Sequence, residues 1–237
     1  MGFRIDNLSF EEGINAAMDL VRSDKVSQVI TINPEMINYA IKNEEFSKIV
    51  QNAEMVIPDG IGVKIALKLN GFGVKRLPGI DFAYRLMQEC AKSNLPVAII
   101  GAKEEVIKKA IDNLREKIEN LNIVYYRNGY FNNDEEVYNE LIEKSPRLIL
   151  VAMGSPRQEE FINTAKKYLP PCLMVGIGGS LDVWSGMVKR APAIYQKLGL
   201  EWLYRTITQP ERFKRIFPTL PLFLIKAIIY KYGHRSE

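Results

Sequence analysis

The stretch Arg147-Leu-Ile-Leu-Val-Ala-Met-Gly-Ser-Pro-Arg-Gln-Glu-Glu160 decides the fold class. A short apolar run is followed by a glycine at Gly154 and then by a segment typical of a helix start. An apolar strand without alternating polar residues is typical of a parallel sheet that helices cover on both faces. The stretch therefore predicts one strand–turn–helix unit of an α/β protein.

Five further apolar runs of this kind alternate with helix-like segments. The predicted strands are Gln28–Ile32, Glu54–Ile57, Val97–Ile100, Asn122–Tyr126, Arg147–Ala152 and Cys172–Val175. The predicted helices are Gly13–Arg22 behind a Ser9/Glu12 capping box, Pro34–Lys42, Asp81–Ala91 with Asp81 as N-cap, Lys103–Lys117, Asn133–Lys144 and Pro156–Tyr168. This alternation predicts a doubly wound, Rossmann-like α/β fold with a mostly parallel sheet.

The end of the chain differs from the rest in charge. Residues 187–237 contain ten Lys and Arg but three Asp and Glu, whereas the preceding residues contain 22 and 25. We therefore predict an α/β domain over residues 1–190 and a helical, basic appendage over residues 191–237. The appendage is predicted to contain the helices Ile194–Thr208, Pro210–Phe217 and Pro221–Tyr232. Its charge indicates an anionic partner, which can be phosphate, nucleic acid or anionic lipid.

The last predicted helix carries an apolar stripe edged by basic residues. The stripe consists of Phe223, Leu224, Ala227, Ile228 and Tyr230, and its edges are Lys226, Lys231 and Arg235. Such a stripe suits a helix that lies on a membrane surface. It suits equally well a helix that docks on its own core or on a neighbouring subunit. No run reaches the ~18–20 apolar residues of a spanning helix, and the charged first 20 residues predict no signal peptide.

Metal and disulfide chemistry are not expected. The two cysteines, Cys90 and Cys172, lie in apolar contexts and are predicted to be buried thiols in a reducing compartment. The single histidine is His234, near the end of the chain. Because no D-x-D triplet occurs, a metal-bridged diphosphate is disfavoured, and arginines would have to neutralise a leaving group.

Polar residues follow the first two predicted strands, where a doubly wound sheet binds its ligands. Thr31 and Asn33 follow the first strand, and Asp59 follows the second within Pro58-Asp-Gly-Ile-Gly62. An aspartate there can act as a general base towards a hydroxyl group. Taken alone, Thr31 and Asn33 are better explained by turn and capping chemistry, and Asp59 suits an N-cap equally well.

Further candidate binding residues lie in the later turns. Arg76 precedes a helix start and can bind phosphate oxygens, although a surface arginine is the simpler interpretation of its spacing. The other candidates are Gly101 and Ala102 for a nucleotide, Asn128 and Tyr130 in the next turn, Gln158 for a sugar or base, and Gly178 and Gly179 for a close backbone approach. The missing G-x-G-x-x-G fingerprint argues against an NAD-dependent oxidoreductase. That class and a non-catalytic membrane- or nucleic-acid-binding module remain the alternatives.

Taken together, the motifs resemble those of the bacterial WecG/TagA/CpsF family, glycosyltransferase family 26. The resemblance covers nearly the whole chain. Its motifs are T-x-N-P-E-M at Thr31–Met36, P-D-G-x-G at Pro58–Gly62, R-x-x-G-x-D at Arg76–Asp81, Gly101-Ala102, N-G-Y-F at Asn128–Phe131, G-x-P-x-Q-E at Gly154–Glu159, G-x-G-G-S-x-D at Gly176–Asp182, G-x-x-x-R-A-P at Gly186–Pro192 and L-G-L-E-W-L-Y-R at Leu198–Arg205.

The resemblance implies an inverting, metal-independent glycosyltransferase without a cofactor. It would move a sugar, most often N-acetylmannosamine, from a UDP-sugar to N-acetylglucosamine on undecaprenyl diphosphate, for teichoic acid or another surface polysaccharide. N-acetylmannosaminuronate and glucose are the alternative donor sugars. By the same resemblance, Asp59 is the catalytic base, and Thr31, Asn33, Arg76 and Gln158 belong to the donor pocket.

The resemblance also implies where the protein works. It would be a peripheral protein on the cytoplasmic face of the cell membrane, with an anionic lipid surface as a partner and no nucleic acid. The arginines predicted to meet the diphosphate or the membrane are Arg190, Arg205, Arg212 and Arg215. A homo-oligomer is compatible with the sequence.

Overall fold

A computed structural model gives the fold of residues 2–73, 76–208 and 213–233. For Lys197, Arg205, residues 213–218 and residues 232–233 it describes the backbone alone. The described residues form one six-stranded sheet with helices on both of its faces.

All strand pairs in the sheet are parallel, and the spatial order is β2–β1–β6–β5–β3–β4. The strands are β1 (Ser27–Ile32), β2 (Met55–Pro58), β3 (Val97–Gly101), β4 (Ile123–Arg127), β5 (Leu148–Ala152) and β6 (Leu173–Gly176). The predicted fold class is therefore confirmed, and the bounds of each predicted strand are correct to within one residue.

Twelve helices occur within the described residues. They are α1 (Phe10–Arg22), α2 (Pro34–Ala40), α3 (Glu44–Gln51), α4 (Ile61–Leu69), α5 (Gly79–Lys92), α6 (Glu104–Lys117), α7 (Asp134–Lys144), α8 (Arg157–Ala165), α9 (Ser180–Trp184), α10 (Ala193–Leu198), α11 (Glu201–Thr208) and α12 (Phe213–Gly233). The Ser9/Glu12 capping box of α1 is present, as predicted.

Successive residues of the interior strands enter cores on opposite faces of the sheet. On one face, Val29 and Ile57 pack in the core beneath α1, α5 and α6. On the other, Ile30 and Val56 pack beneath α2, α3, α4 and α12, while β3, β5 and β6 pack against α7 and α8. Burial on both faces explains why β3, β5 and β6 are apolar throughout, whereas the edge strand β4 is partly exposed and ends in Arg127.

Several helix predictions were wrong in detail. Asp81 lies in the first turn of α5 and Pro78 holds the N-cap position, because the helix begins two residues earlier than predicted. The short helices α3, α4 and α9 were missed. The predicted helix Ile194–Thr208 is divided at Gly199, whose backbone has φ +72° and ends α10 in a left-handed conformation.

The final helix also differs from its prediction. Two helices separated near Pro218 were predicted, whereas α12 continues from Phe213 through Pro218 and Pro221 to Gly233. Residues 209–212, on which part of the predicted helix Pro210–Phe217 falls, lie outside the described residues. Packing of α12 against α2 and α4 supplies the tertiary contacts that override the local preference of proline.

One face of α12 is docked on the body of the protein. Phe223 and Ala227 are each 1 % exposed and belong to the core beneath α2 and α4, with Leu224 packed at its edge. Two polar contacts join the same surfaces: Asn38 Nδ2 donates to the Thr219 carbonyl at 3.3 Å, and Lys226 Nζ donates to Asn38 Oδ1 at 3.2 Å. Phe223, Leu224 and Ala227 of the predicted stripe therefore dock on the protein's own core, whereas Ile228 and Tyr230 are exposed.

The opposite face of α12 is apolar and exposed. Leu222, Ile225 and Ile229 are 54 %, 52 % and 64 % exposed. None of the helices within the described ranges has the length and apolar character needed to cross a bilayer. The division of the chain at residue 190 stays a prediction.

Docking of α12 predicts that truncation of two neighbouring residues, Phe223 and Leu222, lowers the free energy of unfolding by very different amounts. Phe223→Ala should lower the free energy of unfolding by about 3 kcal/mol, because a fully buried aromatic side chain leaves a cavity. Leu222→Ala, on the exposed face of the same turn, should cost less than about 1 kcal/mol. Urea unfolding of the two variants compares them directly, and equal losses would contradict the docked position of α12.

Candidate functional site

A cavity of about 730 Å³ lies at the carboxyl ends of the strands. Loops after all six strands line it, with Tyr130 as the contribution of the loop after β4. Helix α11 contributes Glu201 and Trp202, and α12 contributes Thr219 and Leu220. Of the predicted site residues it gathers Thr31, Asn33, Asp59, Arg76, Ala102, Tyr130, Gln158, Gly178 and Gly179. Since a small-molecule pocket typically measures about 300–1,000 Å³, the cavity is large enough for a nucleotide-sugar.

Asp59 lies at the base of the cavity, directly after β2. Its backbone N–H donates to the Ile32 carbonyl at 2.8 Å, which ties it to the neighbouring strand β1. Its Oδ1 accepts a hydrogen bond of 2.7 Å from the Gly60 N–H. Burial raises the pKa of Asp59 above its usual range, while the Arg76 guanidinium and the Gly60 N–H act in the opposite direction. A carboxylate in this position can accept a proton near neutral pH more readily than an exposed one.

Arg76 connects Asp59 to the C-terminal segment. Its Nε lies 3.9 Å from Asp59 Oδ1, its Nη2 forms a short ion pair with Glu201 at the start of α11, and its Nη1 donates to the Gln196 carbonyl at 3.4 Å. The Arg76 side chain is only 14 % exposed. A shielded guanidinium that lines the cavity beside a carboxylate can stabilise negative charge there more strongly than one at an exposed surface.

Thr31 and Asn33 line the cavity and also make structural hydrogen bonds. Thr31 Oγ1 donates to the Gly176 carbonyl at 3.2 Å, which joins the ends of β1 and β6. Asn33 Oδ1 accepts from the Met36 N–H at 3.0 Å and caps α2. The capping interpretation of Asn33 is therefore correct, and its role in binding a donor stays a prediction.

Gln158 is buried beneath the glycine turn that follows β6. Its Oε1 accepts a 3.1 Å bond from the Gly178 N–H, and its Nε2 donates to Glu159 Oε1 at 2.6 Å. Burial raises the pKa of Glu159 to about 7. Gln158 therefore holds the shape of the turn, which limits the hydrogen bonds it has left for a sugar or base.

The candidates after β3 and β4 differ in position. Ala102 lines the cavity, whereas Gly101 and Asn128 are not among the lining residues. Gly101 has φ +133°, and a Cβ there would lie 2.2 Å from the Ala152 carbonyl oxygen, so the position requires glycine for packing of β3 against β5. Asn128 closes its turn by accepting from the Tyr130 N–H at 2.9 Å. Tyr130 is 72 % exposed at the cavity and is placed to stack on a base.

The predicted arginines of the C-terminal segment are only partly described. Arg190 is not among the lining residues; its Nη1 and Nη2 bind both carboxylate oxygens of Asp81 at 2.7 and 2.6 Å. Arg212 lies outside the described residues, and for Arg205 and Arg215 the side chains do. Binding of diphosphate or membrane by these four arginines stays a prediction.

Among the cavity residues that the sequence did not assign to the site are Glu201, which contacts Arg76, and Trp202. Both belong to the L-G-L-E-W-L-Y-R block, in which the sequence interpretation valued only the arginine. Trp202 Nε1 and Arg76 Nε are buried donors for which the described part of the chain provides no hydrogen-bond acceptor. Buried donors are normally paired, and both of these residues line the cavity, so their two N–H groups are available to a ligand with acceptor oxygens.

No group of three His, Cys, Asp or Glu side chains that could hold a metal ion occurs within residues 2–73, 76–208 and 213–233. Metal independence stays a prediction from the sequence. The chemistry available from the lining residues is that of a carboxylate base, a guanidinium and hydrogen-bond donors directed towards an oxygen-rich ligand.

Comparison with known proteins gives a consistent result. The model of the "Glycosyl transferase WecG/TagA/CpsF family" matches residues 1–237. Two relatives, from Bacillus spizizenii strain W23 and Bacillus subtilis strain 168, are each 34 % identical over 206 residues, which cover 86 % of this chain and 80 % of the relative. Both relatives are named N-acetylglucosaminyldiphosphoundecaprenol N-acetyl-beta-D-mannosaminyltransferase.

Proposed function

Since the chain belongs to the WecG/TagA/CpsF family of glycosyl transferases, we propose that it transfers N-acetylmannosamine from its UDP form to N-acetylglucosamine on undecaprenyl diphosphate. The names of its two relatives support this acceptor and this sugar. The observation that carries the proposal is that Asp59 and Arg76 line one cavity, 3.9 Å apart, at the carboxyl edge of the sheet.

The proposed reaction is a single displacement. Asp59 accepts the proton of an acceptor hydroxyl, and that oxygen forms a bond to the anomeric carbon from the face opposite UDP. The bond from the anomeric carbon to the diphosphate oxygen breaks, its electron pair stays on that oxygen, and UDP leaves. Attack from the opposite face inverts the anomeric configuration.

Arg76 is proposed to stabilise the negative charge that grows on the departing diphosphate. A preorganised charged donor in a site shielded from water typically contributes a few kcal/mol to such a transition state. Trp202 Nε1 is a second donor to the substrates, because it is buried in the cavity lining without an acceptor among the described residues. Tyr130 stacks on the base, while Thr31, Asn33, Ala102 and the turn at Gly178 and Gly179 surround the donor.

The acceptor is proposed to reach the cavity along α12. Thr219 and Leu220 of this helix line the cavity, and the next turns carry the exposed apolar face of Leu222, Ile225 and Ile229. A helix with such a face can lie in the interfacial region of a bilayer. This arrangement supports a peripheral protein on the cytoplasmic membrane face, with Arg190, Arg205, Arg212 and Arg215 near anionic headgroups or the acceptor diphosphate.

A transfer assay tests the proposed function. The protein is incubated with UDP-N-acetylmannosamine and a short-chain lipid-diphosphate N-acetylglucosamine in EDTA, and UDP release and product mass are measured. A disaccharide product would support donor, acceptor and metal independence together. UDP binding without product would direct the search to UDP-N-acetylmannosaminuronate and UDP-glucose, and failure to bind UDP would contradict the proposal.

A further inference from the structure

Five charged side chains form a continuous chain beside the cavity, and Glu201 stands at its centre. The chain runs in the order Asp59, Arg76, Glu201, Arg190, Asp81. Glu201 binds Arg76 Nη2 through Oε2, and its Oε1 lies 3.6 Å from Arg190 Nε. Each of the two arginines therefore has a carboxylate on either side, and Glu201 is the one that they share.

The position of Arg76 depends on the balance between two carboxylates. Glu201 engages Nη2, whereas Nε faces Asp59 at 3.9 Å and makes no hydrogen bond within the described residues. The side chains of Arg76 and Glu201 are 14 % and 15 % exposed. Because their interaction is shielded from water, it is stronger than that of a surface ion pair. Glu201 can therefore determine how closely the guanidinium approaches Asp59.

We propose that Glu201 is a positioning residue for the transfer reaction: by binding Arg76 it keeps the guanidinium at 3.9 Å from Asp59, too far for a hydrogen-bonded ion pair, so that Asp59 stays available to accept a proton. The inference rests on the proposed function of Asp59. A carboxylate paired directly with a guanidinium is a weaker base, because protonation must break the pair. Glu201 itself does not touch the reacting atoms in this scheme.

The charges around Asp59 support a higher pKa for Asp59 when Glu201 is present than when its charge is removed. Arg76 lowers the pKa of Asp59, and the negative charge of Glu201 raises it. Removing the charge of Glu201 takes away the repulsion and frees Arg76 to approach, and both changes lower the pKa of Asp59. The other titratable side chains that line the cavity are Glu35 of α2, Lys103 before α6, Glu105 of α6, Tyr130 after β4 and Asp182 of α9.

A titration of Asp59 without substrate tests the proposal directly. The protein is labelled with 13C at aspartate carboxyl carbons, and the Asp59 resonance is assigned by its absence from the Asp59→Asn spectrum. We expect the pKa of Asp59 to fall by about one pH unit in Glu201→Gln. In Glu201→Asp, which keeps the charge, it should stay near the wild-type value. The same pKa in the wild type and in Glu201→Gln would overturn the proposal.

The pH dependence of transfer provides the second measurement. Since Asp59 must be deprotonated to act as a base, the rate rises with pH through its pKa. A lower pKa in Glu201→Gln therefore moves this rise to lower pH. If Glu201 had a purely structural role, its replacement would lower the transfer rate at every pH but leave the midpoint of the rise at the same pH. That result would contradict the proposal.

Two features of the experiment distinguish failure of the Glu201 proposal from misfolding of a variant and from failure of the proposed function. Glu201→Ala is a second neutral variant for use if Glu201→Gln does not fold, because alanine favours a helix. Its expected titration is that of Glu201→Gln. If the wild type transfers no sugar from any UDP donor, the proposed function fails, while the substrate-free titration still decides whether Glu201 controls Asp59.

Discussion

Asp59→Asn is expected to reduce sugar transfer by about 10²–10⁴-fold, the range typical for loss of a general base. Asparagine has nearly the same shape and keeps an oxygen that can accept from the Gly60 N–H, but it cannot take up the acceptor proton. Arg76 keeps its ion pair with Glu201 in this variant, so the guanidinium should remain in the cavity. UDP binding, measured by isothermal titration calorimetry, should therefore change little.

The control for this variant is the same chemical change at an exposed site. Asp112→Asn on α6 removes a carboxylate that lies on the protein surface, and its transfer rate should equal that of the wild type. If Asp59→Asn retains more than about a tenth of the wild-type rate, Asp59 is not the base. Loss of UDP binding together with transfer would instead place Asp59 in donor binding.

Replacing the exposed face of α12 is expected to separate membrane binding from chemistry. In the triple variant Leu222→Ser, Ile225→Ser, Ile229→Ser, affinity for vesicles that contain anionic phospholipid should fall by about 10²-fold. About half of each side chain is exposed, so its entry into the interfacial region contributes about 1 kcal/mol, and three such losses correspond to about a hundredfold. Vesicle co-sedimentation measures the change.

The core beneath α12 should be unaffected by this triple variant, because Phe223 and Ala227 face the other way. Transfer to a short-chain, water-soluble acceptor should therefore be retained, while transfer to a long-chain acceptor in vesicles is lost. The matched control is Ile142→Ser, an exposed isoleucine on α7, which packs against β4 at the far edge of the sheet. Equal vesicle binding by the triple variant and the control would contradict a membrane role for α12.

The sheet could be predicted from the sequence because its strands are buried on both faces. A run such as Leu148–Ala152 is apolar at every position and has no competing interpretation as an amphipathic surface element. The loops after these strands could be placed for the same reason, since parallel strands bring their carboxyl ends to one edge. That rule predicts that Thr31, Asp59 and Gln158 lie at one edge of the sheet, and all three line the cavity there.

The C-terminal segment could not be predicted in the same way, because its arrangement depends on partners distant in sequence. Phe223 was assigned to a membrane-facing stripe or, as an equal alternative, to a docked one, and only the surfaces of α2 and α4 decide between them. Glu201 was overlooked because a single acidic residue in a basic segment carries no local signal. Its significance comes from Arg76, which lies 125 residues away in the sequence.

The contact at Gly62 has a consequence for how members of this family can diverge. A Cβ at this position would lie 2.6 Å from Leu220 of α12 and 2.6 Å from Pro34 at the start of α2. Two of the helices that α12 packs against, α2 and α4, begin immediately after Asn33 and after the Asp59-Gly60 turn. In this chain the C-terminal helix is thus fitted to the loops that we propose carry the chemistry, and we expect that it cannot be exchanged with that of a relative as an independent module. A chimera that acquires a new membrane helix has to inherit the matching surfaces of α2 and α4 with it, so specificity for the lipid surface and for the sugar should be inherited together.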